Sequence, residues 1–351
     1  MAQACRLKDL LWVWGSAEAV DKSVPMEPRA PPGKPSRAPA PNRRAGAPQQ
    51  PRPPSPEFVH DGEEADFEEI QPSELEYHES LGEGATAEVF RGHWQGQEVA
   101  IKEIFLQRKD GRSLRGTKQD VAFSREVSVL SKVNHPNLVK FHGICLEQRP
   151  LRVVIEFCAG GSLFDLVHSE EVELPIWQQL KMATDIAAGM DYLHNFKPQI
   201  IHRDLKSLNL LLAAPVLTSK DTPHVKVSDF GTARMKDLDA EWDKMTKAAG
   251  TCHWMAPEVF KGKYNEMADV YSYSMVLYEI ICRDIPFDEC EGNEVLTLAM
   301  EGIRPNMDLV PPDCPAALSR IMVCCWAQNP GDRPTFARVL EQLKGVEEPR
   351  A

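Results

Sequence analysis

The stretch that decides the fold reads His202-Arg-Asp-Leu-Lys-Ser-Leu-Asn209, and Asp229-Phe-Gly231 begins twenty residues after its last asparagine. The side chains of Asn209 and Asp229 offer oxygen donors of the kind that hold Mg²⁺, often with only one or two protein groups. Asp204 would then be left to accept the proton of an attacking alcohol. Such positioning and charge neutralisation are the main requirements of phosphoryl transfer. The pattern therefore indicates a phosphoryl-transfer site.

Upstream of this stretch lies a glycine-rich turn, Leu81-Gly-Glu-Gly-Ala-Thr-Ala-Glu-Val89, between two strand-like segments. Glycines let backbone amides approach phosphate oxygens without a Cβ in the way, although a plain hairpin has the same pattern. Val99-Ala-Ile-Lys102 follows at strand spacing. Its lysine either points to solvent or pairs with Glu126, a pairing that would fix the ammonium against the α- and β-phosphates of a nucleotide.

Short strands are predicted at Glu88–Trp94 and Gln97–Lys102, separated by the turn-prone Gln95-Gly96. A third strand is predicted at Leu151–Phe157, and a small hairpin at Leu210–Leu212 and Val225–Val227. Helical spacing extends over residues 121–133, and an apolar stripe marks a second helix through Ala183, Ile186, Ala187, Met190 and Leu193. These patterns predict a small β-rich lobe followed by a larger α-rich lobe, with a cleft between them.

The ordered set of motifs resembles the eukaryotic protein kinase domain, and the resemblance covers about residues 76–345. It is carried by Gly82, Gly84, Lys102, Glu126, His202–Asn209, Asp229–Gly231 and Ala256–Glu258. The resemblance implies an α+β, bilobal fold with a β-rich N-lobe and a larger α-helical C-lobe. It also implies ATP and Mg²⁺ as cofactors and proteins as substrates.

The resemblance implies a role for each matching residue. Asp204 would be the catalytic base, and Lys206 would stabilise charge on the transferred phosphoryl group. Asn209 and Asp229 would ligate Mg²⁺, and Lys102, held by Glu126, would bind ATP. Val89, Ala100 and Leu211 would sandwich the adenine, and the backbone of Glu156 and Cys158 would face it. The full ATP-binding set is Leu81, Gly82, Glu83, Gly84, Ala85, Thr86, Ala87, Glu88, Val89, Ala100, Lys102, Glu156, Cys158 and Leu211.

The subclass follows from smaller features. Lys206 and Thr251 resemble serine/threonine-type chemistry, whereas Trp254-Met-Ala-Pro-Glu and Cys325-Trp326 resemble the tyrosine-kinase-like group, which includes Raf-like and mixed-lineage kinases. We expect a serine/threonine kinase, with dual specificity as an open alternative. A catalytically silent pseudokinase scaffold is a second alternative, which the joint presence of the four catalytic and metal-binding groups disfavours. An adaptor that acts through its N-terminal tail is a third.

Regulation is also predicted. Arg203 precedes the catalytic aspartate, as in kinases that are switched by phosphorylation of the activation segment. A phosphate on Thr246 would bring a charge that Arg203 could pair with, although Thr246 is equally compatible with an unmodified loop residue.

The resemblance further implies an ion pair between Glu258 and Arg333 and a hydrophobic column, for which ordinary core packing is the alternative. The column would consist of Leu130, Phe141, His202 and Phe230. Three positions depart from the family pattern: Ala87 replaces a glycine, Tyr271 a tryptophan and Ser274 a glycine.

The N-terminal region differs in composition. Residues 25–56 contain twelve of the 28 prolines, so residues 1–56 are predicted to form a disordered tail. Pro28-Arg-Ala-Pro31 and Pro51-Arg-Pro-Pro54 fit ligands of SH3- or WW-type domains, or they belong to a plain linker. Residues 57–75 form an acidic linker, residues 76–345 the kinase domain and residues 346–351 a C-terminal tail.

Bulk composition narrows the class of protein. The 351 residues carry a formal net charge of −12, which disfavours nonspecific nucleic-acid binding. Nine scattered cysteines without a Cys-x-x-Cys pair favour reduced thiols in the cytoplasm over secretion. No segment is apolar enough over about 18 residues to predict a transmembrane helix.

Overall fold

Val99-Ala-Ile-Lys102, whose first three residues are apolar and buried, lies in one strand of a six-stranded sheet. A computed structural model of the chain describes residues 68–83, 87–104, 127, 130–146, 150–230, 252–262 and 265–346. The strands are β1 (Glu68–Glu69), β2 (Leu75–Glu83), β3 (Ala87–Trp94), β4 (Gln97–Ile104), β5 (Phe141–Cys145) and β6 (Leu151–Glu156). Their order in the sheet is β1-β5-β6-β4-β3-β2, and only the β1–β5 pair is parallel.

The β3–β4 hairpin sets the register of the strand that carries Lys102. Gln95 and Gly96 both have positive φ angles, 50° and 77°, as a tight two-residue hairpin turn requires. From this turn the ladder runs through Arg91 opposite Ala100 to Val89 opposite Lys102. The predicted turn and strands are therefore confirmed. β6 ends at Glu156, one residue earlier than predicted, where its pairing with β4 ends as well.

Where the structure describes it, the C-terminal half is mainly helical and also contains the short hairpin of β7 (Leu210–Leu212) and β8 (Val225–Val227). Its helices are α1 (Leu163–Val167), α2 (Ile176–Asn195), α3 (Met267–Cys282), α4 (Gly292–Met300), α5 (Ala316–Cys325) and α6 (Phe336–Lys344). Short 3₁₀ turns lie at Pro72–Glu74, Ser207–Asn209, Cys252–Trp254, Pro257–Lys261, Met307–Leu309 and Pro330–Asp332. The predicted stripe of α2 is buried in the main hydrophobic core of this lobe. The α+β, two-lobed expectation is thus confirmed.

Helix α3 is the centre of the larger lobe, because every residue from Ala268 to Ile281 is buried. A helix that is apolar on all sides belongs in a core rather than at a surface. Two acids, Asp269 and Glu279, are buried with it, at 1% and 0% exposure. Buried carboxylates need partners, and both find them in the site described below.

Two predictions reach beyond the described part of the chain. The predicted helix over residues 121–133 is described only at Val127 and from Leu130 onward, and the predicted tail and most of the acidic linker lie outside it. Within the described residues, no helix is both long enough and apolar enough to cross a membrane, and no two cysteines form a disulfide.

Candidate active site

The loop that contains Asp204 is held by a carboxylate from the core. Asp269, in the first turn of α3, accepts hydrogen bonds from the backbone N–H groups of His202 and Arg203, each at 2.8 Å. Burial alone would raise the pKa of Asp269. The hydrogen bond from His194, the nearby imidazoles and the Arg203 N–H outweigh that cost and hold the pKa below its usual value. Asp269 is therefore a fixed anion beneath the loop.

The ring of His202 fixes the loop from the other side. Its Nε2 lies 2.8 Å from the carbonyl oxygen of Ser228, which can only accept, so Nε2 carries a proton. Its Nδ1 accepts a hydrogen bond from the Asp204 N–H at 3.3 Å. The imidazole of His202 thereby links the backbone of Asp204 to that of Ser228, the residue before Asp229.

Asp204, Lys206 and Asn209 meet in one polar cluster. Lys206 Nζ lies 3.3 Å from Asp204 Oδ1. The Asn209 amide donates to the backbone oxygen of Asp204 at 2.8 Å and to its Oδ2 at 3.1 Å. The carboxylate of Asp204 is thus aimed by two neighbours from its own loop.

The β7–β8 hairpin brings the two proposed metal ligands to the same end of the ladder. Leu210 pairs with Val227, so that Asn209 lies just before one strand and Asp229 two residues after the other. Ser228 holds the two segments together with two hydrogen bonds to the Asn209 carbonyl oxygen, one from its N–H and one from its hydroxyl, both at 2.9 Å. Asp229 has a φ of 59°, a left-handed conformation that is uncommon for a residue other than glycine.

An ion pair joins the two lobes at this point. Lys102 Nζ, from β4, lies 2.6 Å from Asp229 Oδ1, and the two side chains are only 11% and 21% exposed. The fold thereby joins two residues that are 127 positions apart in the chain. The structure brings five of the predicted residues to one cleft: Lys102, Asp204, Lys206, Asn209 and Asp229.

A family model for protein tyrosine and serine/threonine kinases matches residues 75–343. This chain belongs to the protein tyrosine and serine/threonine kinase family. Membership implies an ATP site, since protein kinases use ATP as phosphoryl donor.

Relatives support the same assignment. Dual specificity protein kinase splA of Dictyostelium discoideum is 40% identical over 293 residues, which cover 80% of this chain and 12% of the relative. Serine/threonine-protein kinase TNNI3K of Homo sapiens is 37% identical over 281 residues, which cover 78% of this chain and 32% of the relative. Serine/threonine-protein kinase VIK of Arabidopsis thaliana is 37% identical over 285 residues, which cover 80% of this chain and 62% of the relative. The chain thus spans less than two thirds of the length of each of these relatives.

The residues that are predicted to line the adenine lie on paired strands. Val89 opposes both Gly82 on β2 and Lys102 on β4, and Leu211 of β7 forms a β-bridge with Ser162, the residue before α1. A Cβ added to Gly82 would meet nothing within 4 Å, so this glycine lies in open space. Leu81 is 47% exposed. Three residues of the predicted turn, Gly84, Ala85 and Thr86, lie outside the described residues.

The connection between the lobes carries Glu156 and Cys158. The Glu156 N–H donates to the Lys140 carbonyl oxygen at 2.8 Å. The carboxylate of Glu156 pairs with Lys226 of β8 at 3.0 Å, which ties this connection to the larger, helical lobe. Burial, with a smaller contribution from the Glu156 charge, raises the pKa of the Cys158 thiol to about 12. Cys158 is therefore an inert packing residue.

The predicted ion pair between Glu258 and Arg333 is present and bidentate, with N–O distances of 2.5 and 2.9 Å. Arg333 also donates to the carbonyl oxygens of Ala327 and Met267. Tyr271, one of the departures from the family pattern, presents its ring to Arg333 at 5.2 Å. The substitution thus keeps an aromatic surface beneath the guanidinium.

The remaining predicted residues divide into two groups. Leu130 and Phe141 are half-buried, and His202 and Phe230 are buried, which agrees with core packing as well as with the predicted hydrophobic column. Glu126, Thr246 and Thr251 lie outside the described residues, so their roles stay predictions.

One functional contact was missed by the sequence reasoning. Glu279 accepts from Ser207 Oγ at 2.7 Å and from Trp254 Nε1 at 2.6 Å, so it joins the catalytic loop to the segment before Ala256. Burial raises its pKa to about 8, against the lowering effect of these two hydrogen bonds. Its place as a lone acid in the apolar run Met275–Cys282 was the available signal.

Proposed function

We propose that this chain is a protein serine/threonine kinase that transfers the γ-phosphate of ATP to serine and threonine hydroxyls of protein substrates in a Mg²⁺-dependent reaction. The observation that carries the proposal is the 2.6 Å contact of Lys102 with Asp229, beside the Asp204 cluster. It joins the residue proposed to hold the nucleotide to one proposed to hold the metal.

The donor chemistry of the cleft fits the two cofactors. The carboxylate of Asp229 and the amide oxygen of Asn209 are hard oxygen ligands, which suit Mg²⁺ better than softer metals. Lys102 presents a positive charge that is 11% exposed and suits the α- and β-phosphates. When bound, Mg²⁺–ATP supplies the phosphoryl group and neutralises its charge. The ATP-binding residues predicted above are proposed to line the remainder of the cleft.

Asp204 is proposed to orient the acceptor hydroxyl and to hold its proton on a carboxylate oxygen. The contacts from Lys206 and Asn209 keep this carboxylate in one orientation before the acceptor arrives. Lys206 also places positive charge where negative charge develops. Because Asp269 and His202 anchor the loop backbone, little reorganisation is needed during the reaction.

Acceptor specificity is proposed from Lys206 and Thr251, and from relatives named as serine/threonine kinases in plants and animals. Dual specificity is a second candidate, because splA and shkC are named dual-specificity kinases. Phosphoamino-acid analysis of labelled substrate separates the two. Phosphotyrosine at a level comparable to phosphoserine and phosphothreonine would contradict the narrower proposal.

The activity test uses the full chain with Mg²⁺, labelled ATP and a generic protein substrate. Asp204→Asn should lower kcat by at least about a hundredfold, since general base catalysis contributes about 10²–10⁴. Asp313→Asn, which changes an exposed aspartate, is the matched control and should keep full activity. Equal labelling by wild type and Asp204→Asn would leave the silent scaffold as the better interpretation.

We further propose that Arg203 pairs with a phosphate on Thr246 in the active state. Arg203 lies between two anchored residues and has a φ of 67°, so its backbone direction is set. If phosphatase treatment of wild type and Thr246→Ala both leave activity unchanged, the switch does not exist.

The tail and the compartment complete the proposal. The two PxxP segments are proposed to dock SH3- or WW-type domains, and the protein to act in the cytoplasm. A peptide of residues 25–56 should bind such domains only while the prolines of these segments are intact. Fractionation of cells that express the chain tests the compartment.

A further inference from the structure

A second group of metal-binding side chains lies on the β2–β3 ladder, outside the kinase cleft. One ligand atom each from Glu76, His78 and His93 lies within 4.8 Å of the other two. Glu76 opposes His93 directly across the ladder, and His78 is two residues further along β2, on the same face as Glu76. The strand pairing therefore brings the three side chains to one patch of the sheet.

A local irregularity aims the second histidine at the first. The β2–β3 register shifts between Tyr77 and Ser80, and such bulges redirect side chains. His78 Nε2 lies 2.8 Å from His93 Nδ1, and the two rings meet edge to face with centroids 5.0 Å apart. Two ring nitrogens thus face each other.

We propose that Glu76, His78 and His93 form a zinc-binding site. Two neutral imidazole nitrogens and one carboxylate are a common three-ligand set for Zn²⁺. Bonds of about 2.0–2.2 Å in a tetrahedron place ligand atoms about 3.4 Å apart. The two imidazole nitrogens here are 2.8 Å apart, and all three ligand atoms lie within 4.8 Å of one another. Glu76 and His78 are exposed and His93 is half-buried, so water can take the fourth position.

The charges around the patch do not oppose a cation. Arg91, two residues before His93 on the same face of β3, pairs with both Glu79 and Glu98. Glu98 is also the direct partner of His93 on β4. The positive charge of Arg91 is therefore balanced by two carboxylates.

The zinc site is separate from the proposed Mg²⁺ site in place and in chemistry. Glu76 is six residues from Gly82, roughly 20 Å along the strand. Imidazole ligands select zinc-like ions, whereas the Asn209–Asp229 pair offers only oxygen. Zinc would cross-link β2 to β3, the two strands that flank the glycine-rich turn, and should therefore stabilise the N-lobe.

The test uses the full chain after removal of metal with a chelator and of the chelator by gel filtration. Zn²⁺ is titrated by calorimetry, and Co²⁺ serves as a spectroscopic probe of geometry and ligand type. The proteins are wild type, His78→Ala, His93→Ala, the double variant, Glu76→Gln and the control His224→Ala. His224 is a single half-buried histidine whose ring contacts the Pro136 carbonyl oxygen.

Wild type and His224→Ala should bind one equivalent of Co²⁺ with nitrogen- and oxygen-type absorption. Each single histidine variant should weaken Zn²⁺ binding by at least about tenfold, Glu76→Gln should weaken it less, and the double variant should lose this equivalent. Zinc should raise the melting temperature of wild type and leave that of the double variant unchanged. Unaltered kinase activity and melting temperature of the metal-free double variant would show that it folds.

Three results would overturn the zinc site. The first is no saturable binding by wild type. The second is equal binding by wild type and the double variant. The third is a Co²⁺ spectrum dominated by sulfur-to-metal charge transfer, which would place the ion on cysteine thiols. In the first case the two histidines are no more than a hydrogen-bonded surface pair.

Discussion

The two lobes position their functional side chains by different means. In the N-lobe, Lys102 is placed by ladder register, with Val89 on one side and Val153 on the other. In the C-lobe, the Asp204 loop has little regular structure and is held by the buried acids Asp269 and Glu279 of α3. A substitution in the sheet should therefore have a moderate effect that is confined to its neighbours. Loss of a buried acid should instead lower both the free energy of unfolding and kcat.

The largest effect is expected from Asp269→Ala. It leaves the N–H groups of His202 and Arg203 without their acceptor and removes the partner of His194. Breaking such a buried charged network costs about 3–5 kcal/mol. The free energy of unfolding in urea and kcat should both fall sharply. Asp269→Asn keeps one acceptor, so its free energy of unfolding and its kcat should lie between those of wild type and Asp269→Ala. An Asp269→Ala protein of wild-type stability would contradict the buried-acid account.

Lys102→Met should separate catalysis from stability. Lys102 is proposed to hold the α- and β-phosphates, and removal of one preorganised electrostatic contact typically lowers kcat by about 10²–10³. The side chains of Lys102 and Asp229 are 11% and 21% exposed, which places the pair between surface pairs, worth about 0–1 kcal/mol, and buried pairs, whose breaking costs about 3–5 kcal/mol. The free energy of unfolding should therefore fall by about 1–3 kcal/mol. Lys140→Met, at an exposed position, is the control. Kinetics and urea unfolding on the same preparations check both parts, and a collapse in stability would show that the N-lobe also depends on a buried charge.

Glu279→Gln should change the pH dependence of stability. Because the folded-state pKa of Glu279 is raised from 4.5 to about 8, the folded protein holds a proton that the unfolded chain releases. Stability is therefore lost as pH rises from about 5 to 8, by an amount on the order of a few kcal/mol.

The amide that Glu279→Gln introduces can accept from Trp254 Nε1 and donate to Ser207 Oγ, so the network survives without the titration. Unfolding free energies measured across this range should fall with pH in wild type and stay flatter in Glu279→Gln. Parallel curves would show that Glu279 is ionised throughout.

The smallest effect is expected in the sheet. Tyr77 donates its hydroxyl to Glu103 at 2.8 Å and accepts from Arg152 at 2.6 Å, beside the Arg152–Glu103 pair. Tyr77→Phe removes one hydroxyl and should lower the free energy of unfolding by about 1 kcal/mol, with kcat unchanged. A large loss of activity would mean that the edge strand β2, although exposed, affects the geometry of the cleft.

Much of the cleft was predictable because its residue types are read from local motifs. Lys102, Asp204, Lys206, Asn209 and Asp229 were all named from spacing and resemblance, and the structure places them together. The turn at Gln95-Gly96 was predictable since a two-residue hairpin demands positive φ. These features depend on chemistry that a short stretch of sequence expresses by itself.

The supports of the cleft were harder to predict. Glu279 is an acid inside an apolar helix, and nothing local says that Ser207, 72 residues earlier, will donate to it. The grouping of Glu76, His78 and His93 likewise depends on a register shift in the ladder. Side-chain partners across a long stretch of chain are chosen by packing, which single-sequence patterns do not encode.

The sequence by itself determined the fold class, the order of the motifs and the chemical nature of the cleft. It did so because strand alternation, turn residues and oxygen, amine and carboxylate groups are properties of short segments. Only the tertiary structure decided that Lys102 meets Asp229, that Asp269 holds the Asp204 loop and that burial raises the pKa of Glu279. Those outcomes depend on burial, because removing water makes each charge require a partner that only the folded chain can supply.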